Sequence, residues 1–224
     1  MSNDTNNYDR QHALFDPSNQ NLKIHIVGVG SIGSFIALNL AKLGFNNIKI
    51  TDFDMVEEHN IPNQFYRIED LGKYKVEALS EIIKSFTDLE VEIENIKIDE
   101  NYQWDLDLNS LVVVAVDSME ARQMIFEQIK DYPIKLLDTR MGGLMYNIYI
   151  CDLGNEEDRE RDKKTLYIQT SDNPCGEKSI IFNVLNIASE SCNIIKMIDK
   201  GEEYPRTICR DMNFYQFLGG KKSR

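Results

Sequence analysis

The sequence predicts an α/β protein with a mostly parallel central sheet, helices on both faces, and an antiparallel extension in the C-terminal half. Strand-like apolar runs alternate with amphipathic, helix-like segments through the first half of the chain, as in parallel sheets. Residues 111–116 are continuously apolar, which is typical of a central strand buried on both faces. A glycine-rich turn at 28–33 joins the first strand to the first helix.

The elements are predicted in chain order from their apolar spacing. A polar N-terminal arm covers 1–21, and the stretch 53–72 is expected to be a loop or short helices. Strands are expected at 22–27, 47–51, 91–98, 111–116, 134–137 and 145–151. Helices are expected at 32–43, 73–86, 118–130 and 178–200, with Ser118 as a cap. The charged run 155–164 is expected to be a solvated or mobile loop.

Composition restricts the partners that the chain can have. Its 25 Lys and Arg against 37 Asp and Glu give a formal net charge of -12, which disfavours nucleic acid and anionic membranes. The apolar runs are far shorter than the roughly 20 residues that cross a bilayer, and the polar N-terminus does not resemble a secretory signal. We therefore expect one cytoplasmic domain over 1–224. The sequence contains no C-x-x-C pair, so we expect no zinc site.

The glycine-rich turn predicts a phosphate site. Gly28, Gly30 and Gly33 have the G-x-G-x-x-G spacing between a strand and a helix, the setting that makes this motif informative in Rossmann-like folds. The first glycine permits the turn, the second lets a phosphate approach, and the third packs helix on strand. Asp52, at the end of the second strand, is placed to accept hydrogen bonds from a ribose. The alternative is that the glycines serve only a tight turn.

Two kinds of enzyme share this turn: dehydrogenases that use a dinucleotide and adenylating enzymes that use ATP. The residues after Asp52 favour ATP, because Asp54, Asn60 and Gln64 add a carboxylate and two amides that a dehydrogenase does not need. A nicotinamide-dependent oxidoreductase remains the less favoured alternative.

The sequence here resembles the ThiF/MoeB/HesA family of ubiquitin-activating-enzyme-like adenylyltransferases. The resemblance covers about 8–150 well and rests on four motifs in the family's order. They are Tyr8-Asp9-Arg10-Gln11; Asp52, Asp54, Val56, Asn60 and Gln64 of the pattern D-x-D-x-V-x-x-x-N-x-x-R-Q; Gly72-Lys73-Tyr74-Lys75-Val76; and Asp117-Ser118 followed by Arg122. It implies one domain with an arm at 1–21, a nucleotide-binding core at 22–152, a loop at 153–178, and a C-terminal helix and tail at 179–224.

The resemblance implies an activity and a set of site residues. ATP and Mg²⁺ would adenylate the C-terminal carboxylate of a ubiquitin-like or sulfur-carrier protein or peptide, and the chain would be a homodimer. Gly28, Gly30 and Gly33 would shape the nucleotide loop and Asp52 would hold the ribose. Lys75 would contact the phosphates and Asp117 would coordinate Mg²⁺. Asn60 and Gln64 would position the phosphates or the loop, and Asp54 and Arg122 would support the loops. Arg10 would reach into the site of the partner subunit. Taken alone, Asp117-Ser118 could be only a helix cap, Lys75 a solvated lysine, and Arg10 part of a disordered arm.

Two positions leave the family's pattern or extend it. Asn63 replaces an arginine that would contact phosphate, so Arg67 is a candidate substitute. The alternative function is that of a non-catalytic or weakly catalytic partner subunit of a complete paralogue. Cys175, in Pro174-Cys175 before the last helix, is either a catalytic thiol or a buried structural cysteine.

Overall fold

A computed structural model describes residues 8–167 and 180–214. Seven strands form one sheet in the order β3-β2-β1-β4-β5-β6-β7. The strands are β1 Lys23–Val27, β2 Ile48–Thr51, β3 Glu92–Glu94, β4 Ser110–Val114, β5 Lys135–Gly142, β6 Met145–Asp152 and β7 Thr207–Asp211. Strands β1 to β5 are parallel, whereas β6 and β7 pair antiparallel, which confirms the predicted fold class.

Five α-helices within the described ranges cover the two faces of this sheet. They are α1 Ser31–Leu43, α2 Lys75–Thr87, α3 Met119–Ile129, α4 Glu156–Tyr167 and α5 Ile181–Asp199. Helix α1 packs between α2 and α5 on one face, and α3 and α4 pack together on the other. Ser118 caps α3 as predicted, because its hydroxyl oxygen accepts the N–H of Ala121 at 3.2 Å.

Side chains of the central strands alternate between two apolar cores. In β4, Leu111 and Val113 pack with the α1 side, while Val112 and Val114 pack with the α3 side. All four are at most 2% exposed, which explains why this strand reads as an unbroken apolar run. None of the described helices is both long and apolar enough to span a bilayer.

The charged run at 155–164 was wrongly expected to be a loop, and with it much of the loop at 153–178. Helix α4 begins at Glu156, and its residues Asp158, Asp162 and Leu166 are buried at i, i+4 spacing. Arg161 forms ion pairs of 2.7 Å with each of the two aspartates. The inward face of α4 is therefore carried largely by carboxylates, which an apolar periodicity does not detect.

Other boundaries also moved. Strand β3 has only three residues within the expected 91–98, and β5 runs on to Gly142 because it pairs with the whole of β6. Strand β7 lies in the region that was expected to be only a tail. The stretch 53–72 contains short 3₁₀ helices at Glu58–Asn60 and Ile68–Asp70, in line with the prediction.

Candidate nucleotide-binding site

The candidate site lies where the strand order reverses. Strands β2 and β3 extend from one side of β1, and β4 and β5 extend from the other. The connections leave the carboxyl ends of β1 and β4 in opposite directions, which opens a crevice where α/β sheets commonly bind ligands. The glycine-rich turn follows β1 at this edge of the sheet.

The three glycines of this turn meet different surroundings. Gly28 has φ +87°, and a Cβ there would lie 2.9 Å from the carbonyl carbon of Ala115. A Cβ on Gly33 would lie 1.9 Å from the carbonyl oxygen of Gly28. Among the described residues, a Cβ on Gly30 would have one neighbour within 4 Å, Gln64 Nε2 at 3.9 Å. The fold therefore requires Gly28 and Gly33, whereas the space over Gly30 is left open beside the turn.

The N-terminus of α1 opens toward the same space. Among the described residues no side chain caps it, and its first turn carries no acidic residue. The first N–H groups of a helix have no partner within the helix, and the helix dipole places partial positive charge there. This helix end therefore suits an anionic group such as a phosphate.

Asp52 ties the turn to the end of β2. Its Oδ2 accepts the N–H of Val29 at 2.8 Å, and its Oδ1 accepts the N–H of Asp54 at 2.9 Å. Burial raises the pKa of this carboxyl, opposed by the hydrogen bond from Asp54 and by the charge of Lys75. A carboxylate oxygen can accept more than one hydrogen bond, so Asp52 retains capacity for a ribose hydroxyl.

Lys75 and Asp54 form an ion pair beside Asp52. Lys75 is the first residue of α2, and its Nζ lies 2.8 Å from Asp54 Oδ2. Its backbone N–H also donates to the Asp54 carbonyl at 2.9 Å. Lys75 is 6% exposed, so it is not the solvated surface lysine considered as an alternative.

Asn60 and Gln64 have distinct structural roles. The buried Asn60 Oδ1 accepts the N–H of Glu57 at 2.9 Å, and its carbonyl accepts the N–H of Gln64 at 2.9 Å. Gln64 Oε1 is buried without a hydrogen-bond partner among the described residues. The buried, unpaired atom is the amide oxygen, whereas the Nε2 of the same amide faces the open side of Gly30. A buried acceptor is costly to leave unpaired, so this arrangement fits a site built for a polar ligand.

Tyr66 and Ser34 also shape the site, and the sequence analysis missed both. The Tyr66 hydroxyl donates to the carbonyl of Val29 at 2.6 Å, and the N–H of Phe65 donates to Ser34 Oγ at 3.1 Å. These bonds fasten the loop after β2 to the glycine-rich turn and to α1. Tyr66 is 6% exposed, and burial raises its pKa well above the ordinary value. A tyrosine and a serine far apart in the chain give no local signal of this contact.

Asp117 lies on the other side of the glycine-rich turn. It follows Val116, whose backbone nitrogen would lie 3.0 Å from a Cβ on Gly28. The Asp117 side chain is exposed. Mg²⁺ is commonly held by one or two carboxylates together with substrate phosphates, so an exposed carboxylate here fits that ion. Arg122 is buried instead, in an ion pair with Asp138.

Arg10 lies at the opposite end of α1 from the glycine-rich turn. The neighbouring Gln11 donates from Nε2 to the carbonyl of Leu43 at 2.8 Å, at the C-terminal end of α1. A helix of 13 residues is about 20 Å long, which is beyond the reach of an arginine side chain. Arg10 therefore does not contact the turn of its own chain in this structure.

Arg67 does not take the place of the arginine that Asn63 replaces. Its Nε and Nη2 donate to the two oxygens of the buried Asp70 at 2.9 and 2.8 Å, and Nη1 pairs with Glu69. Burial alone would raise the pKa of Asp70, but the bonds from Arg67 and Lys73 outweigh it and hold that pKa low. Cys175 lies outside the described residues.

A sheet of this order, with the glycine-rich turn and polar residues at its switch point, defines a Rossmann-like class of α/β protein. Residues 8–194 match the ThiF family, so the chain belongs to the ThiF family.

Curated relatives agree with this membership. The chain is 30% identical over 123 residues to the NEDD8-activating enzyme E1 catalytic subunit of Caenorhabditis elegans, covering 54% of this chain and 29% of the relative. It is 30% identical over 115 residues to ubiquitin-like modifier-activating enzyme 5 of the same organism, covering 46% and 27%. The chain thus spans less than a third of the length of these relatives.

Solved structures share the fold. The crystal structure of PaaA superposes with a TM-score of 0.74 at 19% identity, covering 96% of this chain and 72% of that one. Escherichia coli MccB with ATP gives a TM-score of 0.71 at 16% identity, covering 94% and 72%. At these identities the likeness shows the fold.

Proposed function

We propose that the chain uses ATP and Mg²⁺ to adenylate the C-terminal carboxylate of a ubiquitin-like or sulfur-carrier protein or of a peptide, releasing pyrophosphate. The observation that carries the proposal is the open, uncapped end of α1 over Gly30, with the Nε2 of Gln64 beside it. Asp52 and the Lys75–Asp54 pair lie at the same edge of the sheet.

The comparisons support the same chemistry. The curated relatives are named as activating enzymes for NEDD8 and for ubiquitin-like modifiers. MccB has been solved with ATP, and with AMPCPP together with MccA. These statements concern the relatives, and they make adenylation of a carboxylate the first activity to test for this chain.

Each group in the crevice has a task in this reaction. A carboxylate is a weak nucleophile and the triphosphate is strongly anionic, so the site must offset charge and align the reactants. The α1 N–H groups and Lys75 would bind phosphate oxygens, and Asp52 would orient the ribose. Asp117 would hold Mg²⁺, which when bound offsets phosphate charge. Asp54 would keep the Lys75 ammonium at the crevice before the nucleotide arrives.

An ATP–pyrophosphate exchange assay with candidate carrier proteins and peptides tests the proposal. Lys75→Ala and Asp117→Ala should each lower exchange by about 100-fold, since each removes a charge that acts on the phosphates. Lys84→Ala is the matched control, because Lys84 is an exposed lysine of α2 that forms a surface ion pair with Glu90. Equal exchange in the Lys75 and Lys84 variants would contradict the assignment.

We further propose that the enzyme is a homodimer in which Arg10 serves the partner's site. The support is the position of Arg10, which is too far from the glycine-rich turn of its own chain to act there. Cys175 stays a prediction, with a catalytic thiol and a structural cysteine both open.

A second function is favoured by one specific observation. Asn63 replaces a family arginine, and Arg67 is held by Asp70 instead of reaching the crevice. A non-catalytic subunit that pairs with a complete paralogue fits this loss of charge. ATP binding by the purified chain without any exchange would favour this alternative, whereas Mg²⁺-dependent exchange by the chain alone would exclude it.

A further inference from the structure

Three charged side chains on the α3–α4 face of the sheet are linked in series by ion pairs: Arg122, Asp138 and Arg140. Arg122 of α3 and Asp138 of β5 are an ion pair in which each side chain is 6% exposed. Arg140 of β5 donates from Nε to Asp138 Oδ2 at 2.8 Å, so the two arginines take the two oxygens of one carboxylate. Within the motifs that define the family resemblance, Arg122 appears but Asp138 and Arg140 do not.

Arg122, at one end of this series, holds the backbone that leads to Asp117. Arg122 Nη2 donates to the carbonyl of Val116, and Nη1 donates to the carbonyl of Val114 at 3.4 Å. Val114 is the last residue of β4, so these bonds fix the segment between the strand and Asp117. Because Val116 directly precedes Asp117, Arg122 holds the backbone one residue before that carboxylate.

The other end is fixed by Arg140. Its Nη1 donates to the carbonyl of Thr165 at 2.9 Å and its Nη2 to Thr165 Oγ1 at 3.0 Å, in the last turn of α4. Its guanidinium also lies 4.4 Å from the ring centre of Tyr149. Arg140 is therefore held from three directions and presents a fixed donor to Asp138.

We propose that Arg140 is a positioning residue for the magnesium-binding carboxylate, acting on Asp117 through Asp138 and Arg122. Without Arg140, one oxygen of Asp138 loses its partner inside the protein, and the carboxylate can turn to give both oxygens to Arg122. The Arg122 guanidinium would then leave the carbonyl of Val116. The proposal rests on the proposed function, because it assumes that Asp117 holds Mg²⁺ beside a nucleotide.

The test measures binding of the ATP analogue AMPCPP by calorimetry, once with Mg²⁺ and once with EDTA. The dissociation constant in EDTA divided by the dissociation constant with Mg²⁺ is a ratio that reports how much Mg²⁺ contributes to affinity. Arg140→Ala should lower this ratio about tenfold, the usual effect of removing a group that orients a metal ligand. The dissociation constant in EDTA should stay unchanged. Arg140→Lys keeps the positive charge and should lower the ratio only about threefold.

Arg161→Ala is the matched control. Arg161 also pairs with two buried carboxylates and a backbone carbonyl, but it has no contact with the Asp138–Arg122 pair. It should leave the ratio unchanged while lowering the melting temperature. If Arg140→Ala does not fold, the comparison between Arg140→Lys and Arg161→Ala decides in its place.

Three results would overturn the inference. The first is that both dissociation constants stay unchanged in the Arg140 variants while the wild type shows a clear Mg²⁺ effect, which leaves the proposed function intact. The second is an equal loss of affinity with and without Mg²⁺, which marks Arg140 as structural support only. The third is a wild type whose AMPCPP affinity does not depend on Mg²⁺, which also removes the magnesium role of Asp117.

Discussion

At the residue scale, Gly30 and Gly33 separate ligand binding from folding. Gly30→Ala should weaken ATP binding by at least about tenfold with little change in melting temperature, because a Cβ there points into open space that a phosphate would occupy. Gly33→Ala should destabilise the fold by about 1–3 kcal/mol, because its Cβ would overlap the Gly28 carbonyl oxygen. Calorimetric ATP affinity and thermal melting of both variants check this. Unchanged affinity in Gly30→Ala would exclude a phosphate over that glycine.

His25 gives a second prediction, on pH. It lies in the centre of β1, 6% exposed, with its Nε2 2.8 Å from Thr51 Oγ1. Burial, with the charge of Lys49, lowers its pKa to about 4 from the model-peptide value of 6.5. The unfolded chain therefore binds a proton between these pH values that the folded protein excludes. The contribution of neutral His25 to the unfolding free energy is fully present above pH 6.5 and is lost as pH falls toward 4, by roughly 3 kcal/mol.

Urea unfolding of the wild type and of His25→Phe from pH 4 to 7 measures this contribution. The difference between their unfolding free energies should grow with pH across this range. His59→Gln is the control, because His59 is exposed and lies in a surface pair with Glu57. A pH dependence in His25→Phe that matches the wild type would show that His25 does not cause it.

At the element scale, α4 shows how a helix can be buried through charge. Its inward residues are Asp158, Asp162 and Leu166, and its arginine Arg161 neutralises the two carboxylates. A helix of this composition is stable only where the receiving surface supplies partners. Here Arg206 pairs with Asp158 at 2.8 Å, and the carbonyl of Ile150 in β6 accepts from Arg161.

Leu166→Ala tests whether α4 is packed in solution. It should cost about 2–5 kcal/mol of unfolding free energy, since it opens a cavity in the core beside Phe126. Lys164→Ala, on the exposed face of the same turn, should stay within about 0.5 kcal/mol. Similar small losses in both variants would mean that the charged segment is a mobile loop after all.

At the scale of the whole molecule, Arg10 predicts that activity needs two copies of the chain. Arg10→Ala and Lys75→Ala should each be inactive alone, but a refolded mixture should recover about one quarter of wild-type exchange. Half of the dimers would then be mixed, and each would contain one complete site. Sedimentation velocity gives the oligomeric state of the same samples. No recovery in a mixture shown to contain dimers would exclude a role of Arg10 in the partner's site.

The fold was largely predictable because its information is local. The apolar run at 111–116 is enough to predict a buried strand, and the glycine-rich turn is enough to predict a strand-to-helix connection, without knowledge of their surroundings. The positions of Asp52, Lys75 and Asp117 in the fold were predictable, since they follow strand ends or begin helices, while their roles in a site stay predictions. The contacts among them were not, because the Lys75–Asp54 pair and the Tyr66–Val29 bond join positions whose distance only the folded chain sets.

The sequence by itself determined the parallel sheet, the glycine-rich turn and the family, because backbone preference and apolar spacing depend on residues that are adjacent in the sequence. Tertiary structure alone decided which glycine is free for a ligand, that Arg67 is occupied by Asp70, and that Arg122 and Arg140 share the carboxylate of Asp138. Those outcomes depend on charges and volumes brought together from distant strands, where burial makes each unpaired polar group costly and so selects one arrangement.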